Sequence, residues 1–382
     1  MLDARSFLDN LARQGFEFYA GVPDSLLKPL LACIQDHVPT DQHTICANEG
    51  NALALAAGYH LGSGKTGVVY MQNSGLGNAV NPLTSLTNPE VYSIPALLLI
   101  GWRGEPDHKD EPQHLKQGEI TPALLELLGI DYEILSDDAH QAEQQVAELR
   151  VRIEKQSEPC ALLVRDNTFK RYSAQSTPEA LSLLTRESAI QEIISHTAAI
   201  KNSTVLATTG KISREVFEAR GAKADKEDGQ ESCVDFLNVG SMGHISSIAL
   251  GVALSQPKQR VFCLDGDGSL LMHMGSLAII GASRAHNLIH IVLNNGAHES
   301  VGGQPTVAAQ LDIPALAKAS GYAACWQASN LRQLQESLIK IAEQAGPILL
   351  EVKVGLSSRA NLGRPTTTPL ENKHAFMERL GA

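Results

Sequence analysis

The sequence predicts an α/β protein made of two doubly wound parallel-sheet domains. Three observations carry that expectation. Short, largely apolar runs (Gly67–Met71, Ile94–Ile100, Thr204–Thr208, Arg260–Leu264, Ile289–Leu293, Ile348–Val354) alternate with longer segments of helical spacing, as strands buried on both faces of a parallel sheet should. Polar and glycine-containing clusters follow those runs at their carboxyl ends, where open parallel sheets gather ligands. The plan occurs twice in a chain of 382 residues, long enough for two full cores. Between the halves, Asn167–Glu187 holds Pro178, several Ser and Thr and one short helical stretch, which reads as a linker. The expected division is residues 1–168, a linker over 169–187, and 188–382.

In the first half, Phe7, Leu8 and Leu11 lie on one side of a helix expected from Asp3 to Gln14. Phe16–Ala20 reads as a strand ending in the turn Gly21-Val-Pro-Asp-Ser25, and Leu26–Gln35 as the next helix. Thr44–Ala47 is a short strand followed by Asn48-Glu49-Gly50-Asn51 and a small-residue helix from Ala52 to Leu61. The runs Gly67–Met71 and Ile94–Ile100 end at Gln72–Asn78 and at Gly101-Trp102-Arg103-Gly104.

In the second half, Thr204–Thr208 runs into Thr209-Gly210-Lys211, and the charged stretch Gly221–Ser232 reads as a mobile loop. Phe236–Val239 leads into Gly240-Ser241-Met242-Gly243-His244 and a small-residue helix to Leu254. Arg260–Leu264 is followed by Asp265-Gly266-Asp267-Gly268-Ser269, then one apolar helix from near Ser269 toward His286, then Ile289–Leu293 and Asn294-Asn295. Gly266 and Gly268 permit a sharp turn and close approach of a ligand, and the free N–H groups of the next helix suit a phosphate or diphosphate. Asp267 spoils that site for a bare anion unless a cation intervenes. Asp267 and the amide oxygen of Asn295 are hard donors on strands that a βαβ unit makes parallel neighbours, so a magnesium ion held against a diphosphate fits the residue types.

A net charge of −11 argues against nucleic acid and anionic membrane as partners, and 43% hydrophobic residues argue against wholesale disorder. The six cysteines (Cys33, Cys46, Cys160, Cys233, Cys263, Cys325) have no metal-like spacing and imply no disulfide framework. Met1–Gln14 mixes acidic and basic residues without an apolar core, and no run reaches the length of a membrane span, so a soluble cytoplasmic protein is expected.

Gly266-Asp267-Gly268, a long interval and then Asn294-Asn295 resemble the signature of the thiamine-diphosphate enzymes. The resemblance implies thiamine diphosphate and Mg2+ as cofactors, the thiamine-diphosphate-binding fold, and Asp267, Asn295 and the carbonyl of Ala297 as metal ligands. It also implies that Glu49, in Glu49-Gly50-Asn51-Ala52, protonates the aminopyrimidine ring of the cofactor. Burial at that position would raise its pKa, although on its own Glu49 reads equally as an ordinary acid in a helix's first turn. Met242 would brace the bent cofactor, the carbonyl of Gly240 would meet its exocyclic amine, and Thr209, Lys211, Gly268 and Ser269 would touch its diphosphate or pyrimidine. Lys211 departs from the acidic or hydroxyl residues common at that place.

The chain has no room for the middle domain that most decarboxylases of this class carry. Its short form, with Gly21–Ser25, Asn48–Asn51, Trp102–Glu105 and Gly296–Thr306, resembles the phosphonopyruvate decarboxylases, with sulfopyruvate decarboxylases as near relatives. The resemblance implies a carboxy-lyase acting on a 2-keto acid bearing a phosphonate, in phosphonate biosynthesis. It further implies a homodimer or dimer of dimers whose sites join the first domain of one subunit to the second domain of another. Asp24, Ser25, His298 and Glu299 join Glu49 as candidate catalytic residues. Arg103, His114 and Arg214 are candidates for the phosphonate, since planar guanidinium suits its oxygens, although each could equally be a solvated charge or a structural histidine. Lys109, among Asp107, Asp110 and Glu111, reads as surface. A carboligase, and a non-catalytic nucleotide-binding protein, are the other readings; the latter lacks a Gly-rich Lys-Ser/Thr phosphate loop.

Overall fold

A computed structural model of the chain describes residues 1–174, 184–224, 234–356, 358–359 and 361–382. The chain separates into two units, one comprising Met1–Pro178 with His298–Pro305 and the other Glu179–Ala297 with Thr306–Ala382. Among the described residues no helix is long and apolar enough to cross a membrane.

The first unit contains α1 (Ala4–Arg13), β1 (Tyr19–Gly21), α2 (Lys28–His37), β2 (His43–Ile45), α3 (Glu49–Ser63), β3 (Gly67–Gln72), α4 (Leu76–Ser85), β4 (Ala96–Gly101), α5 (Pro112–Leu127), β5 (Asp131–Ile134), α6 (Ala139–Gln156) and β6 (Cys160–Val164). Its strands form one parallel sheet in the order β2-β1-β3-β4-β6-β5. Leu97, Leu99 and Leu162 face one apolar layer, while Leu98, Ile100 and Leu163 face the other, so the central strands are buried on both sides as expected.

Two boundaries move from the expected ones for local reasons. The strand expected at Phe16 starts at Tyr19, because Phe16 N–H still bonds Leu11 O at 3.0 Å in the turn that closes α1. The helix expected at Ala52 starts at Glu49, because the Asn48 side chain accepts Gly50 N–H at 2.8 Å and caps it. Glu49 thus becomes the first residue of a helix.

The second unit contains α7 (Arg186–Ala198), β7 (Ser203–Ala207), α8 (Lys211–Ala224), β8 (Phe236–Leu237), α9 (Ile245–Ser255), β9 (Arg260–Gly266), α10 (Asp267–Met272), α11 (Ser276–Ser283), β10 (Leu288–Asn294), α12 (Ile313–Ala319), β13 (Ala324–Ala328), α13 (Leu331–Glu343), β14 (Ile348–Lys353) and α14 (Pro369–Leu380), while the short pair β11 (Ala297–His298) and β12 (Gln304–Pro305) flanks the segment His298–Pro305 that groups with the first unit. Its parallel sheet runs β13-β14-β10-β9-β7-β8. In the β9–β10 pairing Val292 lies opposite Asp265 and Leu293 opposite Gly266, so the two motifs emerge side by side, as the sequence implied.

Three expectations need correction here. Residues 221–224 continue α8 rather than opening a loop, and the remainder of the expected loop, residues 225–232, lies outside the described residues, as do residues 175–183 of the expected linker. The single apolar helix after Ser269 is two helices, interrupted at His273–Gly275. Of these, α11 packs so closely that a Cβ on Gly281 would stand 1.8 Å from Ser320 O. Finally, Gly266 is extended (φ −109°, ψ 157°), so the chain enters α10 without a left-handed turn. A Cβ at Gly266 would meet only Ile212 Cδ1, at 3.5 Å, so the neighbouring protein atoms do not demand glycine there.

Candidate active site

The first unit carries a buried acid. Glu49 is 4% exposed at the start of α3, and its Oε2 accepts Asn78 Nδ2–H at 2.7 Å. Gly75 makes room for it, since a Cβ there would lie 2.4 Å from Glu49 Oε1. Burial raises the pKa of Glu49 above the ordinary carboxylate value, and the Asn78 hydrogen bond, which favours the anion, offsets only part of that. The group is suited to holding a proton against a ligand.

A second constellation forms beyond the carboxyl ends of β1 and β4. Asp24 is fully buried; its Oδ2 accepts Leu26 N–H at 2.8 Å, whereas Oδ1 has no hydrogen-bond partner. Burial pushes Asp24 up to about 6. A Cβ on Gly101 would be 2.1 Å from Asp24 Oδ2, so the close approach requires glycine. Arg103 donates from Nη1 to Ser25 Oγ at 2.8 Å and from Nε and Nη2 to both oxygens of Asp110. His114 Nδ1 lies 2.9 Å from the same carboxylate. Asn73, at the end of β3, donates to Arg103 O at 2.8 Å and to Thr121 Oγ1 at 3.0 Å. Asp24, Ser25, Arg103 and His114 are therefore neighbours.

The segment His298–Pro305 groups with this unit. His298 is buried and pushed down to about 4 by that burial, which keeps the imidazole neutral at pH 7, and Glu299 is half-buried.

The second unit carries the diphosphate-type turn. Asp267 is the buried first residue of α10, and its Oδ2 accepts Thr306 Oγ1–H at 2.5 Å. Burial pushes its pKa up to about 6. The two asparagines behave differently. Asn294 is tied into the sheet, donating from Nδ2 to Glu351 Oε1 at 2.6 Å and accepting Gly296 N–H at 2.9 Å. Asn295 is half-buried, with Oδ1 accepting Ala297 N–H at 3.1 Å. Glu351 is itself held by Gln327 Nε2 at 2.7 Å and Lys353 Nζ at 2.6 Å.

Ser269 Oγ lies 3.1 Å from Thr208 Oγ1 and accepts Gly243 N–H at 3.1 Å. Gly243 has φ +86°, and a Cβ there would meet His273 at 2.6 Å, so glycine is needed after Met242. Met242 is half-buried, and the Gly240 carbonyl accepts Asn238 Nδ2–H at 2.7 Å, leaving its second lone pair for another donor. Thr209 and Gly210 (φ +93°) lead into α8, where Lys211 Nζ donates to Ser358 Oγ at 2.7 Å and Arg214 is half-buried. No cluster of three or more His, Cys, Asp or Glu side chains gathers among the described residues. A cation here would therefore meet one carboxylate and neutral oxygens, a set that suits a hard ion completed by a ligand's own phosphates. The sequence assigned no separate role to Asn78, Asp110 or Asn294; Asn78 and Asn294 are polar residues inside motifs, Asp110 sits in a charged stretch, and only their contacts give each a role.

The fold and its match to two family models define a thiamine pyrophosphate enzyme. Residues 3–125 match the family model of the thiamine pyrophosphate enzyme N-terminal TPP binding domain, and residues 222–352 that of the C-terminal TPP binding domain. The chain is 36% identical to the phosphonopyruvate decarboxylase of Streptomyces viridochromogenes over 98% of its own length and 94% of that protein. It is 36% identical to the one from Streptomyces hygroscopicus over 99% and 94%. A sulfopyruvate decarboxylase of Methanosarcina acetivorans is 30% identical over 82% of this chain and 81% of that one. The chain belongs to the phosphonopyruvate decarboxylase family, carboxy-lyases of the thiamine pyrophosphate class.

Proposed function

We propose that the protein converts 3-phosphonopyruvate to phosphonoacetaldehyde and carbon dioxide in the cytoplasm, using thiamine diphosphate held through Mg2+. The observation that carries the substrate choice is the near-full-length similarity to two phosphonopyruvate decarboxylases, wider and closer than the similarity to the sulfopyruvate enzyme. Asp267, Asn295 and the Ala297 carbonyl would hold the metal. Gly268, Ser269, Thr209 and Lys211 would hold the cofactor's diphosphate side, Met242 would brace the cofactor, and the Gly240 carbonyl would accept from its amine. Bound thiamine diphosphate supplies the electron sink that makes loss of the carboxylate possible.

The chain's own residues handle the protons and the anion. Glu49 keeps a proton at the pyrimidine nitrogen, helped by the burial that raises its pKa. Asp24, also raised, holds a proton near pH 6 and with Ser25 is placed to return one to carbon. His298 and Glu299 face the keto acid. Arg103 uses three of its five N–H groups on Ser25 and Asp110 and has the remaining two to offer the phosphonate, for which His114 and Arg214 are separate candidates.

Carbon dioxide release from phosphonopyruvate, sulfopyruvate and pyruvate, measured side by side, tests the substrate. Phosphonopyruvate should show kcat/KM at least roughly tenfold above either alternative, about 1.4 kcal/mol of barrier. Faster turnover of sulfopyruvate would reassign the enzyme to the sulfonate. Assembly has its own test. If each site takes Glu49 from one subunit and Asp267 from another, mixing the inactive Glu49→Ala and Asp267→Ala proteins under subunit exchange should restore about a quarter of wild-type activity, from random pairing in a two-fold dimer. Mixed dimers that form and stay inactive would contradict that arrangement.

A further inference from the structure

We propose that Asp110 is a positioning residue for this reaction: it aims the Arg103 guanidinium at Ser25 and fixes the tautomer of His114. Asp110 sits in a charge-dense stretch, Glu105 to Glu111, that reads as solvated surface, yet its side chain is only 13% exposed. Its two oxygens are fully subscribed. Oδ2 accepts Arg103 Nε–H and Gly104 N–H, each at 2.8 Å. Oδ1 accepts Arg103 Nη2–H, Glu111 N–H at 2.7 Å and the His114 Nδ1 contact at 2.9 Å. A carboxylate offers about four lone-pair directions, so Asp110 has none left for a substrate. It acts only through the groups it holds.

Those groups would otherwise separate. Burial of the His114 ring opposes a proton on it, the Asp110 hydrogen bond favours one, and the field of the fixed Arg103 cation adds to the opposition. One carboxylate bonded to both keeps them in contact. Because Asp110 accepts at His114 Nδ1, the neutral ring carries its proton there and leaves Nε2 as a lone-pair acceptor. On the other side, the Asp110 clamp leaves Nη1 of Arg103 directed at Ser25 Oγ. Besides the Gly104 and Glu111 N–H groups that Asp110 accepts, the backbone beneath this cluster has anchors of its own. Gly104 (φ +69°) lies so close to His114 that a Cβ there would be 2.0 Å from His114 O. Trp102 Nε1 donates to Gly118 O at 2.9 Å, and Gln117 Nε2 to Asn73 O at 3.0 Å. Removing the charge of Asp110 should therefore disturb orientation rather than the fold.

The kinetic arm of the test rests on the decarboxylase reading and uses whichever keto acid the wild-type holoenzyme turns over; the spectroscopic arm needs no substrate. In Asp110→Asn, kcat/KM should fall about 10–100-fold, the range for loss of a supporting partner, with cofactor affinity and melting temperature nearly unchanged. In an Arg103→Ala, His114→Ala background the same substitution should have no further effect. Asp110→Glu, which keeps the charge, should recover part of the loss. Imidazole nitrogen NMR should assign His114 to the Nδ1–H tautomer in the wild type and show that signature weakened in Asp110→Asn. An unchanged kcat/KM and tautomer in Asp110→Asn, or a loss that persists undiminished in the double-alanine background, overturns the proposal. Should Asp110→Asn fail to fold, the wild-type His114 tautomer and the Asp110→Glu kinetics decide: an Nε2–H ring, or a Glu variant as inactive as Asp110→Ala, overturns it.

Discussion

Glu49→Gln should lower turnover by ~10²–10⁴-fold, the usual worth of a positioned proton-transfer group, while leaving magnesium-dependent cofactor affinity within a few-fold. The substitution keeps the shape, the place at the head of α3 and the pocket that Gly75 leaves open. What it removes is an acid whose proton burial retains against the opposing pull of the Asn78 hydrogen bond. At about 1.4 kcal/mol per factor of ten, the loss corresponds to roughly 3–5 kcal/mol of barrier. Hydrogen–deuterium exchange at the thiazolium carbon of bound thiamine diphosphate reports that proton handling directly, and it should slow by the same factor. If the variant exchanges as fast as wild type, another group activates the cofactor. Stability moves the opposite way. An acid whose folded pKa is raised binds protons more readily in the folded state, so its contribution to stability falls as pH rises through the folded pKa. Glutamine has no such pH dependence, so the Glu49→Gln apoprotein should match or exceed wild-type stability at neutral pH.

Much of this site is legible in sequence because it hangs on buried parallel strands. The apolar runs ending at Leu264 and Leu293 can only lie deep in a sheet, and pairing them places Asp267 and Asn295 together whatever the loops do. Glu49 stands out through its Glu49-Gly50-Asn51-Ala52 context, whereas its place as the first residue of α3 depends on the Asn48 cap, which the apolar pattern starting at Ala52 does not show. Legibility ends where tertiary contacts overrule local pattern. The half-buried edge strands β2 and β5 carry His43, Asp131 and Glu133, which do not read as apolar runs. The break between α10 and α11 falls at His273-Met274-Gly275, inside a stretch whose apolar residues continue on both sides, so composition alone does not mark it. Asp110 lies in a string of charges that predicts solvent exposure. Only the fold brings Arg103, from beyond β4, against it. Nor does the pair Asn294-Asn295 reveal which member is structural, because that depends on Glu351 in a strand far along the chain.

The proposed metal site at Asp267 makes the sharper prediction, because the same substitution should stabilise one form of the protein and destroy another. Asp267 is buried with only the Thr306 hydroxyl as a short side-chain partner, and its pKa is pushed up to about 6 from the model-peptide region near 4. Its folded pKa is raised, so the folded state binds the proton more tightly. Its contribution to stability is greatest at low pH and is lost as pH rises toward and through about 6. Above that pH, without a metal, the apoprotein carries an unneutralised buried charge, a penalty of at most ~3 kcal/mol for a shift of this size. Asp267→Asn removes the charge and keeps an acceptor for Thr306, so the apo variant should melt ~2–6 °C higher than apo wild type at pH 7.5. Adding magnesium and thiamine diphosphate should reverse the order. A ligand at a hundred times its Kd adds about 2.7 kcal/mol to wild type, whereas the variant, lacking the one anionic ligand, should lose at least ~100-fold in affinity and gain almost nothing. Scanning calorimetry of both proteins, with and without the two ligands, reads the crossover in four traces. A variant that melts no higher than apo wild type, or that is stabilised by the ligands as much as wild type is, would remove Asp267 from the metal site.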